Sequence, residues 1–250
     1  MIISILSFLV VFTLVVLVHE LGHFLAARRA GVKVYEFSIG FPFSPKIITL
    51  FKHRETAFTL RLLPLGGFVS FSGEGDEETI ELFETSRLHR LQILSAGSVF
   101  NIGFAFFVFI IVFFLGNDMH LGAAVTSSAK TVWAVMSGTV EYLAKAITGR
   151  GSMDGLAGPV GIAVIAGKAA AKGFLNLLSF TGMLSLSLGI MNLFPLPALD
   201  GGQLLMLLIE TARKKPLSLK TYQVVNAVGM ATFLLLTIVV TYRDVVRVLA

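Results

Sequence analysis

The sequence contains no cysteine. It therefore holds neither a disulfide framework nor a metal site built on thiolates, and the redox compartment stays open. Charged residues are also scarce, at 14%, whereas 55% of the 250 residues are hydrophobic and the mean hydropathy is +0.85. A water-soluble domain of this length carries more charge on its surface. The composition therefore predicts an integral membrane protein.

Long apolar runs supply the segments that cross a membrane, because a helix needs about 20 apolar residues to span the hydrocarbon core. Four stretches meet this requirement: residues 1–27, 91–115, 173–209 with an interruption, and 222–242. The first run has no basic residue before its apolar core, so we interpret it as a retained span and not as a cleaved signal. We expect an α-helical polytopic membrane protein that forms a single domain with about four transmembrane helices.

The connection after the first span differs in character from the apolar runs. Segments 46–51 and 56–63 are rich in Ile, Thr, Phe and Leu and flank a polar break at 52–55, a pattern typical of a β-hairpin. Residues 68–71 are expected to add a short strand. We therefore predict a small membrane-associated sheet within residues 33–73. We also predict a helix at residues 125–147 that lies outside the membrane or along its surface.

Basic residues concentrate in the connection between the first two spans and in the connection between the last two. They are Arg28, Arg29, Lys33, Lys46, Lys52, Arg54, Arg61, Arg87 and Arg90, and then Arg213, Lys214, Lys215 and Lys220. The positive-inside rule makes both connections cytoplasmic, which places both termini outside if there are four spans. Because these charges cluster at span ends as topology anchors do, we predict no nucleic-acid partner.

A metal-ligand pattern stands at the end of the first apolar run, where residues 19–23 read His-Glu-Leu-Gly-His. On a helix, His19 and His23 project from one face and Glu20 lies beside them. Two imidazoles at this spacing with a neighbouring glutamate are typical of hydrolytic zinc sites, in which the glutamate acts as general base. An ionisable group near the middle of a bilayer costs about 3 kcal/mol, so function explains Glu20 better than packing does.

The third apolar run is interrupted by residues 192–202, which read Asn-Leu-Phe-Pro-Leu-Pro-Ala-Leu-Asp-Gly-Gly. The two prolines end the helix, and irregular backbone at membrane depth survives only around a polar interior site. Catalytic zinc takes three protein ligands and leaves one position open. We therefore predict that Asp200 joins His19 and His23 as the third ligand; the alternative for Asp200 is a solvated turn near the membrane surface.

Three functions could use this group of residues. In a protease, zinc would polarise a scissile carbonyl while Glu20 carries a proton to the leaving amine, and the sheet edge would pair with an unwound substrate. A membrane metal-ion transporter would use the same side chains as a transit site, and it also fits the broken third run, although the spans show no inverted repeat. A catalytically inactive adaptor is the third possibility. We favour the protease.

Several motifs, in this order along nearly the whole chain, resemble the site-2 protease family of intramembrane zinc metalloproteases, and within it the bacterial regulator-of-sigma-E branch. The two specific motifs are residues 19–23 and residues 192–201. Weaker similarities are Leu-Gly-Gly-Phe-Val at 65–69 with Gly73 and Glu74, then Ala96, Gly97 and Asn101, and then Gly-Pro-Val-Gly-Ile at 158–162.

The resemblance implies zinc ligation by His19, His23 and Asp200, general-base catalysis by Glu20, and contact of Asn192 with the substrate backbone. It also favours Gly66, Gly67 and Phe68 as substrate-binding residues on the sheet. The implied substrates are single-span membrane proteins already shortened by an upstream protease, such as anti-sigma factors or signal-peptide remnants. The implied location is a bacterial cytoplasmic (inner) membrane, with the lipid bilayer as a partner.

Two departures from the family pattern stand out. The branch usually carries one or two PDZ domains between the second and third spans, and only a short stretch joins residue 115 to the predicted helix near residue 125. We therefore expect no PDZ domain in this chain. Ser98 also stands where the family tends to place proline, which affects only the local bend of the second span.

Overall fold

The structure is a computed structural model that describes residues 2–40, 44–63, 66–71, 85–116, 119–148 and 157–249. Helices dominate these residues. They are α1 (Ile2–Arg29), α2 (Arg87–Gly116), α3 (Leu121–Ile147), α4 (Pro159–Ala171), α5 (Phe174–Asn192), α6 (Asp200–Arg213) and α7 (Leu219–Leu249). In this part of the chain α1, α2, α5 and most of α7 are long and apolar enough to cross a membrane. The predicted fold class and number of spans are confirmed.

Two helices depart from the sequence prediction. The helix α3 begins at Leu121, a few residues before the predicted start at residue 125. The helix α4 was not predicted, because residues 158–162 were noted only for their similarity to the family and were given no secondary structure. In the structure Pro159 occupies the first turn, where a missing N–H costs nothing and the fixed φ angle favours the helix.

The interruption in the third apolar run is confirmed. The helix α5 ends at Asn192 and α6 begins at Asp200, so the two prolines lie in an irregular segment between them. Ala198 in this segment adopts a left-handed conformation, with φ of 72°, which is uncommon for a residue other than glycine. The chain therefore turns sharply just before the carboxylate of Asp200.

Four strands form one sheet in the order β2-β3-β1-β4. They are β1 (Glu36–Ile39), β2 (Lys46–His53), β3 (Thr56–Arg61) and β4 (Gly67–Ser70). The antiparallel pairing of β2 with β3 confirms the predicted hairpin, although its turn is tighter than expected because Lys52 and His53 still belong to β2. The strand β1 pairs in parallel with β3 and antiparallel with β4, so β4 lies at one edge of the four described strands.

The chain divides into two compact units. One comprises Phe12–Asn101 and Met191–Met230 and contains the sheet, the end of α1, the start of α2, and α6. Its apolar core joins Ala27, Val32, Val34 and Ile93, with Phe24 and Val69 packed against them. This core fixes the sheet against α1 and α2 beside the predicted metal site.

The other unit comprises Met1–Val11, Ile102–Ile190 and Ala231–Ala250. Its core contains Ala105 and Phe109 of α2 with Leu186 and Ile190 of α5. Side chains of α3, including Val132 and Val135, pack against this cluster. Apolar positions of these three helices thus form one core cluster of this unit.

Candidate metal centre

Two histidines of α1 meet on one face of the helix, as their spacing predicts. The residue exposures of His19 and His23 are 7% and 8%, and the two Nε2 atoms lie 3.1 Å apart. The neighbouring residues of α1 are mostly apolar, so the polar partners of these rings come from other parts of the chain. Buried imidazoles in such a place need a specific partner.

That partner comes from the irregular segment after α5. Asp200 is the first residue of α6, and its Oδ2 atom lies 3.1 Å from Nε2 of His19 and 3.3 Å from Nε2 of His23. The sequence prediction that residues far apart in the chain meet here agrees with this geometry.

Three glycines keep the proline segment in place. A Cβ atom on Gly201 would overlap the carbonyl oxygens of Leu193 and Phe194, and one on Gly202 would overlap that of Leu196. On α7, a Cβ atom on Gly229 would overlap Pro197. The backbone of the segment therefore lies in direct contact with α6 and α7, and this contact fixes where Asp200 begins its helix.

The three candidate ligand atoms suit a tetrahedral zinc ion. Their separations are 3.1, 3.1 and 3.3 Å, and ligand atoms bound tetrahedrally to zinc at its usual bond lengths lie about 3.3 Å apart. Two imidazole nitrogens and one carboxylate oxygen are also a donor set that zinc accepts, and they leave a fourth position open. Among the described residues these three side chains form a group able to share one metal ion.

Glu20 lies at the same site but outside this triangle. It lines a cavity of about 320 Å³ together with His19, His23 and Asp200. The main-chain amide of Val69 hydrogen-bonds to the Glu20 carboxyl group. Gly67 of the same strand lies so close that a Cβ atom there would be 3.3 Å from Cγ of Glu20. The edge strand β4 is therefore held directly against the candidate general base.

The helix α2 covers the other side of the histidines. The Nδ1 atom of His23 lies 2.8 Å from the carbonyl oxygen of Ile93, which orients this ring with Nε2 towards Asp200. A Cβ atom on Gly97 would overlap Nε2 of His23 and lie 2.7 Å from Cε1 of His19. The side-chain nitrogen of Asn101 lies 3.4 Å from Nδ1 of His19.

Among the predicted substrate-binding residues, Asn192 lies beside His19, and the other three lie in or next to β4. The side-chain nitrogen of Asn192 lies 3.5 Å from Nε2 of His19. Phe68 lines the cavity, and Gly67 contacts Glu20. Gly66 has φ of 107°, and its carbonyl oxygen accepts a hydrogen bond from the amide of Gly40. Its main chain therefore extends the pairing between β1 and β4.

Further polar residues of the cavity were not assigned by sequence reasoning. They are Arg90, Gln203, Tyr222 and Asn226. Arg90 was interpreted as a topology anchor because it stands at a span end, yet its residue exposure is only 5%. Its partner Glu210 is 120 positions away along the chain, so no local pattern could have identified the pair.

Several known proteins are similar to this chain along nearly its whole length. A zinc metalloprotease RasP from Geobacillus kaustophilus is 28% identical over 97% of this chain and 97% of its own length. The regulator of sigma-W protease RasP from Bacillus subtilis is 24% identical over 98% of each protein. A putative zinc metalloprotease from Campylobacter jejuni is 26% identical over 99% of this chain and 94% of its own length.

The alignment with the Geobacillus protein extends over 414 positions, more than the 250 residues of this chain, so that relative carries segments without a counterpart here. The family model described as peptidase family M50 matches residues 7–236, which include the candidate ligands and the break that precedes the third of them. A match over so much of the sequence makes this chain a member of peptidase family M50, the site-2 proteases that its motifs resemble.

Proposed function

We propose that this metalloprotease hydrolyses peptide bonds within the transmembrane segments of single-span membrane proteins, with zinc held by His19, His23 and Asp200. The observation that carries the proposal is the triangle of three buried ligand atoms, 3.1 to 3.3 Å apart, beside a carboxylate that is not part of it. Zinc supplies Lewis-acid chemistry at such a site, since it polarises a carbonyl oxygen and makes water more acidic.

Glu20 provides the proton transfer in this proposal. Its carboxylate takes a proton from the attacking water while the water oxygen bonds to the scissile carbonyl carbon. When the carbon–nitrogen bond breaks, Glu20 returns that proton to the leaving amine. The position of Glu20 in the same cavity as the three candidate ligands supports this role.

We propose that the substrate binds by adding a strand to the edge strand β4. Gly40 and Gly66 form a hydrogen-bonded pair, and such pairs alternate along antiparallel strands. The register therefore turns the main-chain groups of Gly67 and Val69 away from β1, towards Glu20. Because the amide of Val69 is bonded to Glu20, an unwound substrate segment would pair with the main chain of Gly67 and the carbonyl oxygen of Val69, and it would run past the general base. Phe68 and Asn192 are the further contacts.

The proposed setting is a bacterial cytoplasmic membrane, with both termini outside and the basic connections inside. The name of the Bacillus subtilis relative, a regulator of sigma-W protease, supports anti-sigma factors as one substrate class. Signal-peptide remnants are another. An upstream protease that shortens the substrate completes the proposal, because a shortened protein has less polar mass outside the bilayer to keep it from the site.

Two substitutions test separate parts of this function. Purified wild-type protein should hold about one zinc ion per chain, and Asp200→Asn should lose most of it because one of three ligands is weakened. Glu20→Gln should keep its zinc but cleave a single-span substrate about 10²- to 10⁴-fold more slowly. Metal analysis and a gel assay of cleavage provide the measurements.

The control is Glu141→Gln, which alters an exposed carboxylate paired with Lys145 at 2.6 Å and should change neither quantity. Normal cleavage by Glu20→Gln would remove this residue as the base. Full zinc content in Asp200→Asn would remove the proposed ligand set. Zinc flux into proteoliposomes without cleavage would favour a transporter.

A further inference from the structure

Asn101 is a polar residue that the proposed reaction does not use. It lies on α2 with no exposed surface, and its side-chain nitrogen is 3.4 Å from Nδ1 of His19. It follows Gly97 by four residues, so the two share one face of the helix. Gly97 lies so close to both imidazole rings that a Cβ atom there would overlap them, and Asn101 contacts His19 from the next turn. Burial of an amide is costly without a polar partner.

The ring nitrogen of His19 that carries the hydrogen decides what role Asn101 can play. Its Nε2 atom lies 3.1 Å from Asp200 and 3.1 Å from Nε2 of His23, so Nε2 is the atom that faces the proposed metal. A neutral imidazole that binds through Nε2 carries its hydrogen on Nδ1, which then needs an acceptor. For His23 the acceptor is the carbonyl oxygen of Ile93.

We propose that the side-chain amide of Asn101 is the corresponding acceptor for His19 and therefore a positioning residue of the metal site. A half-turn of the amide exchanges its oxygen and nitrogen in nearly the same space. The amide oxygen then accepts the hydrogen of Nδ1 and holds the His19 ring with Nε2 towards the ion. This inference rests on the proposed zinc site.

The two histidines are thus oriented by α2 through different groups. A main-chain oxygen orients His23, and no substitution of a side chain removes it. A side chain orients His19, so its contribution can be measured. Loss of such a supporting hydrogen bond typically lowers metal affinity about 10- to 100-fold.

The experiment measures the zinc dissociation constant of purified full-length protein by competition with a chromophoric chelator. Asn101→Leu removes the acceptor with little change in size and should raise the constant about 10- to 100-fold. Asn101→Ala also lacks the acceptor and should raise the constant by a similar factor. Either variant tests the role of Asn101, provided that it folds. Asn101→Asp restores an acceptor and should bring the constant back towards the wild-type value.

The matched control is Ser98→Ala, a buried polar residue on the same helix, which should leave the zinc affinity unchanged. Thermal unfolding in the presence of excess chelator separates loss of folding from loss of affinity. Wild-type affinity in both Asn101→Leu and Asn101→Ala would overturn the role of Asn101. If His19→Ala also kept wild-type affinity, the proposed zinc site itself would fail.

Discussion

The backbone of α2 lies so close to the two imidazole rings that residue 97 has no room for a side chain. On the facing helix, a Cβ atom on Gly22 would lie 2.5 Å from the carbonyl oxygen of Ala96. Gly22 and Gly97 therefore let α1 and α2 approach each other where the histidines stand. The separation of the two helices at this point sets the room available to the metal site.

Replacement of Gly97 tests this close approach at the scale of a residue. We expect Gly97→Ala to lower both zinc content and cleavage, because the added methyl group overlaps His23 and presses on His19. The comparison is Gly103→Ala on the same helix, where a Cβ atom meets no atom within 4 Å. Metal analysis of the two purified variants measures the difference, and equal zinc content would show that α2 yields at this position.

At the scale of elements, α4 is capped by a residue from α7. Its N-cap Gly158 offers no side chain, and Oδ2 of Asp244 accepts a hydrogen bond of 2.7 Å from the backbone amide of Gly161. A Cβ atom on either glycine would lie 2.9 Å from the same oxygen, so a side chain at either position would have to displace the Asp244 carboxylate. A carboxylate at the start of a helix satisfies an orphan N–H group and interacts favourably with the helix dipole.

We expect Asp244→Ala to lower the free energy of unfolding by about 1 to 2 kcal/mol, as loss of an N-terminal cap does. Glu141→Ala removes an exposed carboxylate from a surface pair with Lys145 and should leave the free energy of unfolding nearly unchanged. Unfolding of both variants in detergent micelles provides the comparison. Equal stability of the two would show that the Asp244 contact contributes little.

A buried ion pair connects three helices of the unit that contains the metal site. Nη1 of Arg90 donates to Oε2 of Glu210 at 2.8 Å, and Nη2 donates to the hydroxyl of Tyr222 at 2.9 Å. The other carboxylate oxygen of Glu210 accepts from the amide of Leu217 at 2.8 Å. These bonds tie the start of α2 to α6 and to the first turns of α7.

Removing one partner of this ion pair should lower the free energy of unfolding more than replacing both partners with apolar residues. Arg90→Met leaves Glu210 buried without its cation, and we expect a loss of about 3 to 5 kcal/mol. The double variant Arg90→Met with Glu210→Leu removes both charges and should recover much of that loss. Chemical denaturation in micelles measures both, and a double variant less stable than the single one would contradict the explanation.

At the scale of the whole molecule, the distribution of basic residues predicts which connections face the cytoplasm. The absence of native cysteine makes this easy to measure, because each introduced thiol is the only one in the chain. The exposed residues Lys52, Lys130 and Lys215 provide one position in each of three connections. They allow each connection to be assigned independently.

We expect a membrane-impermeant maleimide to label Lys130→Cys in intact cells, and to label Lys52→Cys and Lys215→Cys only after the membrane is opened. The physical reason is the positive-inside rule, which keeps basic connections on the cytoplasmic side. Labelling of all three after permeabilisation is the control for accessibility. The reverse pattern would invert the proposed topology.

The sequence could predict that His19, His23 and Asp200 form one group, because one half of the group is local and the other half follows from the chemistry of zinc. His19 and His23 share one face of α1 through helix periodicity, and the polar break in the third apolar run offered a carboxylate as the candidate third ligand. Non-local features escaped prediction. The strand β1 is short, and its parallel pairing with β3 depends on distant residues; the burial of Arg90 depends on Glu210.

The glycines around the proline segment affect how the enzyme responds to loss of its metal. Since Gly201, Gly202 and Gly229 let three stretches of backbone touch, the place of Asp200 is set by covalent connectivity and shape rather than by an ion. A chelator that removes the metal should then inactivate the enzyme without unfolding it. Reversible withdrawal and return of the metal, with no refolding step between, becomes a practical way to switch this protease off and on in the laboratory.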